Sequence, residues 1–272
     1  MSERGRRFFK MCGSGNDFVF FDARTVPAAG LDAAEAIQSL CARGTGVGAD
    51  GAVFLELSDA ANVGIRYFNS DGSRASLCGN ATLCTARLAV ELGAADPAGF
   101  TIATDAGVMG ARIRDGGPEI DFAPVRYLTA AAPVRAQSGE QRIGFALAGV
   151  PHLVVQVDDV EDVVLDARGR ELRFDRALEH GANVNFISPA GDGAWYMRTY
   201  ERGVEGETLA CGTGAVACAA VLDAWGTTAG PTTIVTRSGR PLVIRPPSDG
   251  RTGPSLAGEG RIVFEGTLRE LR

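Results

Sequence analysis

The chain carries one segment twice. Residues 65–84, IRYFNSDGSRASLCGNATLC, align with residues 197–218, MRTYERGVEGETLACGTGAVAC. In both, a strand pattern with an aromatic residue runs into a polar turn, and Cys-Gly then opens an apolar helical run. Downstream, TIATDAGV (101–108) aligns with TIVTRSGR (233–240). Cys78 and Cys211 are 133 residues apart, and Ile102 and Ile234 are 132 apart. An offset held nearly constant over about 45 residues is the mark of a duplication. The predicted fold class is therefore α+β in two similar halves, residues 1–118 and 119–260. The boundary falls in the glycine- and proline-bearing stretch Asp115–Ala123. The strand pattern Arg261–Leu268, within the closing segment 261–272, is expected to cross back to the first half.

A chain of 272 residues with 45% apolar side chains can build two cores of this size. Its net charge of −6 gives no reason to expect a nucleic-acid partner or an anionic membrane. No apolar run approaches the ~18 residues of a membrane-spanning helix. Arg4, Arg6, Arg7 and Lys10 are followed at once by Cys-Gly-Ser-Gly-Asn-Asp, which is no signal-peptide core. The six cysteines (Cys12, Cys41, Cys78, Cys84, Cys211 and Cys218) then read as reduced thiols of a cytoplasmic protein. They form no Cys-x-x-Cys pair, and with only two histidines no metal site is expected. The chain holds 26 arginines and a single lysine. Pyridoxal phosphate needs a Schiff-base lysine, so Lys10 alone could carry it, and no cofactor is expected.

Residues 8–22 read as strand, polar glycine turn and strand, with Asn16 and Asp17 at the edge of the turn. A short helix is predicted over Ala33–Ala42. Gly44–Gly51 is glycine-dense, but it lacks the Gly-Lys-Ser/Thr ending and the following helix of a phosphate loop. It reads instead as a loop whose backbone passes close to a neighbour. The helix opened by Cys78 is expected to end at Gly93. Phe100–Ile113 is strand-like, broken at Gly107 and Gly110. In the second half, the turn Gly149-Val-Pro-His152 leads into a strand over Leu153–Val157, and Ala182–Phe186 forms another. His152 beside its proline would by itself be an ordinary loop histidine, and His180 reads as surface.

The chemistry lies in the two Cys-Gly starts. A helix N-terminus presents unpaired backbone N–H groups and a positive dipole end. A cysteine there has more thiolate at neutral pH, and the N–H groups can hold a carboxylate. A buried structural cysteine would explain either stretch taken singly. Two equivalent starts, related by a pseudo-two-fold axis, fit two-base chemistry better. One thiolate takes a proton from a carbon and the opposite thiol returns one to the other face, which inverts the centre. Such a reaction needs close positioning, matched bases and N–H donors on the developing carbanion.

The ordered set KMCGSGNDFVFFD, GTGVGADG, FNSDGSRASLCGNATLC, GVPH, ANVNF and YERGVEGETLACGTGA resembles the motifs of the diaminopimelate epimerase family, from about Lys10 to Arg237. The resemblance implies an isomerase that interconverts LL- and meso-diaminopimelate without pyridoxal phosphate, in lysine and peptidoglycan synthesis. It implies two pseudo-symmetric domains, each a sheet wrapped around a central helix, with the site in the cleft between them. It also implies Cys78 and Cys211 as the acid/base pair, supported by His152 and Glu201. Asn16, Gly79, Asn80, Gly212 and Thr213 match contacts near the reacting centre. Asn69, Asn183 and Arg202 match contacts to the distal amino acid end, where the arginine fork suits a carboxylate. A small-molecule amino-acid substrate follows, and a homodimer is implied by the resemblance alone.

Three positions depart from the family pattern. Val150 stands where the turn usually has asparagine, Ala81-Thr82-Leu83 replaces Gly-Ala-Arg after Cys78-Gly-Asn, and Cys12 replaces a commoner histidine or threonine. The first touches substrate recognition, so a same-fold racemase of another amino acid is the competing enzyme reading. A binding protein that has lost turnover is the reading from another class. The presence of both cysteines, His152 and Glu201 argues against it.

Overall fold

The structure, a computed structural model, describes residues 5–248 and 250–270. Arg4 and the last two positions of the closing segment lie outside the described residues. The chain divides into two units, one running through Ile120 and resuming at Gly258, the other Asp121–Ala257.

The first unit contains β1 (Arg6–Gly13), β2 (Asn16–Asp22), α1 (Ala34–Cys41), β3 (Gly51–Glu56), β4 (Val63–Asn69), β5 (Arg74–Ala75), α2 (Gly79–Glu91), β6 (Phe100–Thr104), β7 (Gly107–Arg114) and β8 (Gly117–Asp121). The second contains β9 (Arg126–Thr129), β10 (Glu140–Ala148), β11 (Val150–Val157), α3 (Leu165–Arg173), β12 (Asn183–Gly191), β13 (Ala194–Glu201), β14 (Gly206–Thr208), α4 (Gly212–Ala224), β15 (Thr232–Val235), β16 (Pro241–Arg245) and β17 (Ser255–Ala257). The last strand, β18 (Arg261–Leu268), belongs to the first unit and pairs antiparallel with β1.

Within the first unit the sheet order is β18-β1-β2-β3-β4-β6-β7-β8, with β5 hung on β4. Within the second it is β9-β10-β11-β12-β13-β15-β16-β17, with β14 hung on β13. Position by position the orders are the same. In each, two neighbouring pairs are parallel: β2 with β3 and β4 with β6, then β11 with β12 and β13 with β15. Parallel neighbours need a long crossover. Each of these four connections carries one of the four α-helices.

The helices cover the sheets on two faces. Residues alternate sides along a strand, so β2 can bury Val19 and Phe21 against α1 while Phe18 and Phe20 face the other way. The α1 core joins Val19, Phe21, Phe54 and Phe68 to Ile37 and Leu40. In the second unit Leu153, Val155, Val184, Phe186 and Tyr200 pack with Leu165 and Leu172 of α3. The opposite faces surround α2 and α4, which contact strands from both ends of their sheets. Both helices are buried along most of their length, and α4 is built largely from Gly, Ala, Val and Cys. Small side chains let strands approach the helix on several sides at once.

Two local expectations are corrected. Gly110 does not break the strand pattern: it pairs with Thr101 inside β7, and the chain reverses just before Gly107, whose φ is 120°. Glycine weakens a strand without ending it when its ladder partner is in place. The second strand of the GVPH region begins at Val150 rather than Leu153, because Gly149, with φ 76°, makes the bend by itself.

Candidate functional site

Cys78 and Cys211 hold the same local structure in their respective units. Each is the N-cap residue of a 13-residue helix, with φ −135° and ψ 114° at Cys78 and φ −133° and ψ 106° at Cys211. Neither N-cap side chain makes a capping hydrogen bond to a first-turn amide. The first-turn amides of α2 and α4 therefore begin with a thiol where Ser, Thr, Asn or Asp would cap them. Gly79-Asn80 and Gly212-Thr213 are the first helical residues. The Thr213 hydroxyl lies 3.5 Å from the Cys211 Sγ.

In the first unit, Asn80 is brought to Asn16. Its Nδ2 donates to Asn16 Oδ1 at 2.7 Å, and Asn16 Nδ2 donates to Asp50 Oδ2 at 3.0 Å. Asn80 Oδ1 is buried with no hydrogen-bond partner among the described residues. Behind this pair stands an ion cluster. Lys10 Nζ is 2.7 Å from Asp17, and it also donates to the Gly48 carbonyl. Arg43 bridges Asp17 and Asp50 at 2.6 and 2.8 Å. Burial pushes the Asp17 carboxyl up, but the bonds from Arg43 and Lys10 outweigh it and hold it below the usual range. The glycine-dense loop is thus tied by its backbone and by Asp50 to the Asn16 turn. Asn69 closes β4, where its Nδ2 donates to Ser73 Oγ at 3.0 Å. The next residue, Ser70, donates its backbone N–H to the Asp50 carbonyl at 3.1 Å.

In the second unit, His152 and Asn183 are register partners on β11 and β12. Asn183 is buried, and its Oδ1 accepts the backbone N–H of Arg202 at 2.7 Å. That leaves its Nδ2 for another partner and fixes the start of the Arg202 loop. Arg202 also donates to the His180 carbonyl at 3.3 Å. Glu201 ends β13, and burial pushes its carboxyl above the usual range. His152 is fully buried, and burial, reinforced by the charge of Arg202, lowers its pKa to about 3. Its ring is therefore neutral at physiological pH. Its Nδ1 lies 3.1 Å from the Nδ2 of Asn185, while its Nε2 is buried without a hydrogen-bond partner among the described residues. The turn histidine of the sequence reading is in the structure a core group under α4. The surface expectation for His180 agrees with a side chain 76% exposed.

Cys41, Cys84 and Cys218 are buried. Burial pushes the thiols of Cys84 and Cys218 well up, and that of Cys41 to about 11. These three stay protonated and act as small apolar side chains. Among the described residues no group of three or more His, Cys, Asp or Glu side chains could hold a metal ion. No described helix is long and apolar enough to cross a membrane.

Sequence reasoning missed Asn185, Thr199 and Asp50. Asn185 and Thr199 join His152 in one buried group, and Asp50 joins Asn16 to the loop. The available signal was the spacing Asn183–Asn185: two amides on one face of a largely apolar strand.

Comparison with known proteins agrees with these features. The sequence model described as diaminopimelate epimerase matches residues 8–132 and 145–261. A diaminopimelate epimerase of Gemmatimonas aurantiaca is 47% identical, covering 97% of this chain and 99% of its own. One from Aquifex aeolicus is 39% identical, with 97% and 98% covered. Among solved structures, a phenazine biosynthesis protein of the PhzF family from Bacillus anthracis aligns with a TM-score of 0.72. It is 15% identical, over 97% of this chain and 98% of its own, which is a likeness of fold alone.

Proposed function

Since the chain belongs to the diaminopimelate epimerase family, we propose that it interconverts LL- and meso-diaminopimelate by two-base proton transfer at the α-carbon. Cys78 and Cys211 are the acid/base pair. The observation that carries this reading is their equivalence: two thiols as N-cap residues of matched helices, with nearly the same φ and ψ, in two units of one topology. A carbanion forming beside a carboxylate needs hydrogen-bond donors on that carboxylate at the moment charge develops. The first-turn amides at Gly79-Asn80 and Gly212-Thr213 are such donors. Asn16 and Asn80 align the reacting end, and Asn80 Oδ1 is an acceptor suited to the substrate ammonium. Asn69, Asn183 and Arg202 take the distal end. His152 and Glu201 support the thiols.

The reading needs no cofactor. The sole lysine, the one candidate for an imine, is buried and committed to Asp17 and the Gly48 carbonyl. A cytoplasmic setting and a homodimer belong to the same reading and rest on the family. The test is purified protein with LL-diaminopimelate in deuterated water, without additives, followed by chiral chromatography and mass spectrometry. The expected result is approach to an LL/meso mixture, with deuterium at the inverted centre. Absence of inversion, or inversion without deuterium uptake, overturns the mechanism.

A further inference from the structure

His152 is one of only two histidines, and among the described residues the side chain hydrogen-bonded to its ring is that of Asn185. The orientation of that amide follows from its other contacts. Asn185 Nδ2 donates to the Leu153 carbonyl at 2.9 Å, and Oδ1 accepts from the Thr199 hydroxyl at 2.9 Å. A peptide carbonyl can only accept. The amide nitrogen must therefore face Leu153, and turning the amide over would set two oxygens against each other. The same nitrogen is the atom 3.1 Å from His152 Nδ1. Its second hydrogen points to the ring, so Nδ1 must be the unprotonated, accepting nitrogen. A neutral imidazole then carries its proton on Nε2. Nε2 is the buried nitrogen that meets no protein acceptor among the described residues.

A buried N–H without an acceptor costs free energy, and such a group in a reactive region calls for a partner that arrives with the ligand. Arg202 is the charged group that acts on the ring, and it opposes protonation. Asn185 also lies beneath the catalytic helix. A Cβ at Gly214 would run into Asn185 Oδ1 and come within 3.2 Å of Cys211 Sγ, so the missing side chain of Gly214 lets the amide and the thiol share this space.

We infer that Asn185, braced by Thr199 and the Leu153 carbonyl, is a positioning residue that locks His152 as the neutral Nε2–H tautomer, so that the imidazole serves the reaction as a hydrogen-bond donor and not as a base. The natural acceptors of this donor are a thiolate or a carboxylate oxygen of an amino-acid substrate. The inference rests on the proposed epimerase reading for its consequence, but not for its first test.

That test is nitrogen NMR of the whole chain labelled with ¹⁵N-histidine, without substrate. His180, 76% exposed, supplies the second signal set and is assigned by His180→Gln. The expected result for His152 is one protonated Nε2 and one pyridine-like Nδ1, unchanged between about pH 5 and 8, across the range where an ordinary histidine titrates. A protonated Nδ1, an average of tautomers or a titration in that range overturns the inference, whatever the enzyme does. Asn185→Asp presents only acceptors to the ring and should move the proton to Nδ1. With diaminopimelate it should lower kcat by about 100-fold, the low end for loss of one preorganised hydrogen-bond donor, with KM little changed. Thr199→Val keeps both Nδ2 donors, and should keep the tautomer with a smaller loss. If Asn185→Asp flips the tautomer but turnover is unaffected, the donor role is wrong. If the tautomer is as inferred but wild-type protein shows no turnover of diaminopimelate, only the functional reading falls.

Discussion

Phe18 and His152 occupy the same place in the two units. Phe18 pairs in parallel with Gly51, and Gly51 faces Asn69; His152 pairs in parallel with Asn183, which precedes the Val184–Tyr200 pair by one step. By the same register Val53 answers to Asn185, and Tyr67 to Thr199. In the first unit this layer is aromatic: Phe18 and Tyr67 meet edge to face, with ring centroids 6.0 Å apart. In the second it is a hydrogen-bonded chain from Thr199 through Asn185 to His152. The aromatic layer shows that the fold does not require a histidine or an amide at these positions. Buried polar groups cost free energy unless satisfied, and in this chain His152 Nε2 is the atom without a partner among the described residues. The polar investment of the first unit lies higher, at the turn, where Asn16, Asn80 and Asp50 join. The duplication thus kept the two thiols and separated the groups around them.

The largest test of that comparison concerns the part that did not diverge. Cys78→Ala and Cys211→Ala should each lower epimerisation by about 10²–10⁴-fold or more, as expected for removal of an acid/base group. Both should leave the circular dichroism spectrum unchanged. Cys12→Ala, Cys41→Ala, Cys84→Ala and Cys218→Ala should stay active. Substantial inversion by either N-cap variant would break the equivalence of the two units.

Acid stability should separate the units next. The pKa of His152 is about 3 in the folded chain and about 6.5 when unfolded. Folding therefore favours the neutral ring. This contribution is fully present above pH ~6.5 and is lost as pH falls toward 3, because the unfolded chain then binds the extra proton. Its full size is on the order of 4–5 kcal/mol. His152→Phe combined with Asn185→Val places the first unit's residues at two of the three positions of the layer. Urea titrations at several pH values should show a weaker fall in stability between about pH 6.5 and 4 than in wild type. An unchanged pH dependence would mean that other groups dominate acid unfolding.

Much of this was legible in the sequence, for definite reasons. Two Cys-Gly starts after aromatic strands, at a fixed offset, are a pattern that only a repeated strand–turn–helix unit produces. Gly93 did end its helix region, with φ 64°. The buried layer under α4 was less legible. Asn185 sits within ANVNFISP and Thr199 within MRTYE, each among other polar residues of the same strand. Which polar residues of a strand are buried depends on the sheet's second face, and here α4 covers it. Gly110 misled for a related reason: whether a glycine breaks a strand depends on its cross-strand partner.

Gly214→Ala probes the same layer with a single methyl group. In the first unit the counterpart helix position is Ala81, fully buried. In the second, a Cβ at Gly214 would collide with Asn185 Oδ1. Overpacking of this kind typically costs about 1–3 kcal/mol. The variant should lose stability by that amount in denaturant titrations and lose activity with it. Ala81→Gly should change stability by less, about the 0.5–1 kcal/mol of a helical glycine. Equal tolerance at both positions would show that Asn185 moves freely out of the way.

Val150 gives the smallest effect and the sharpest question about substrate. It is the register counterpart of Asn16: Gly13 faces Asn16 across the first hairpin, and Ala148 faces Val150 across the second. Asn16 uses both ends of its amide, one to Asn80 and one to Asp50. Valine offers neither a donor nor an acceptor. The position of Asn80 is taken in the second unit by Thr213, whose Cγ2 would lie 3.9 Å from a Cβ at Gly149. The turn before β11 thus presents methyl groups where the turn before β2 presents amides. Loss of one substrate hydrogen bond typically costs ~0.5–1.5 kcal/mol. In the proposed epimerase reading, Asn69, Asn183 and Arg202 remain for the distal carboxylate and amine. Val150→Asn should then lower KM for diaminopimelate by up to about tenfold, the upper end of that range, or leave it unchanged, with no new substrate accepted. The check is a comparison of KM and kcat for both proteins, with a panel of monocarboxylic amino acids beside diaminopimelate. If the wild-type chain racemises one of those far faster than diaminopimelate, the apolar turn belongs to a pocket shaped for a shorter substrate, and the competing racemase reading replaces the epimerase.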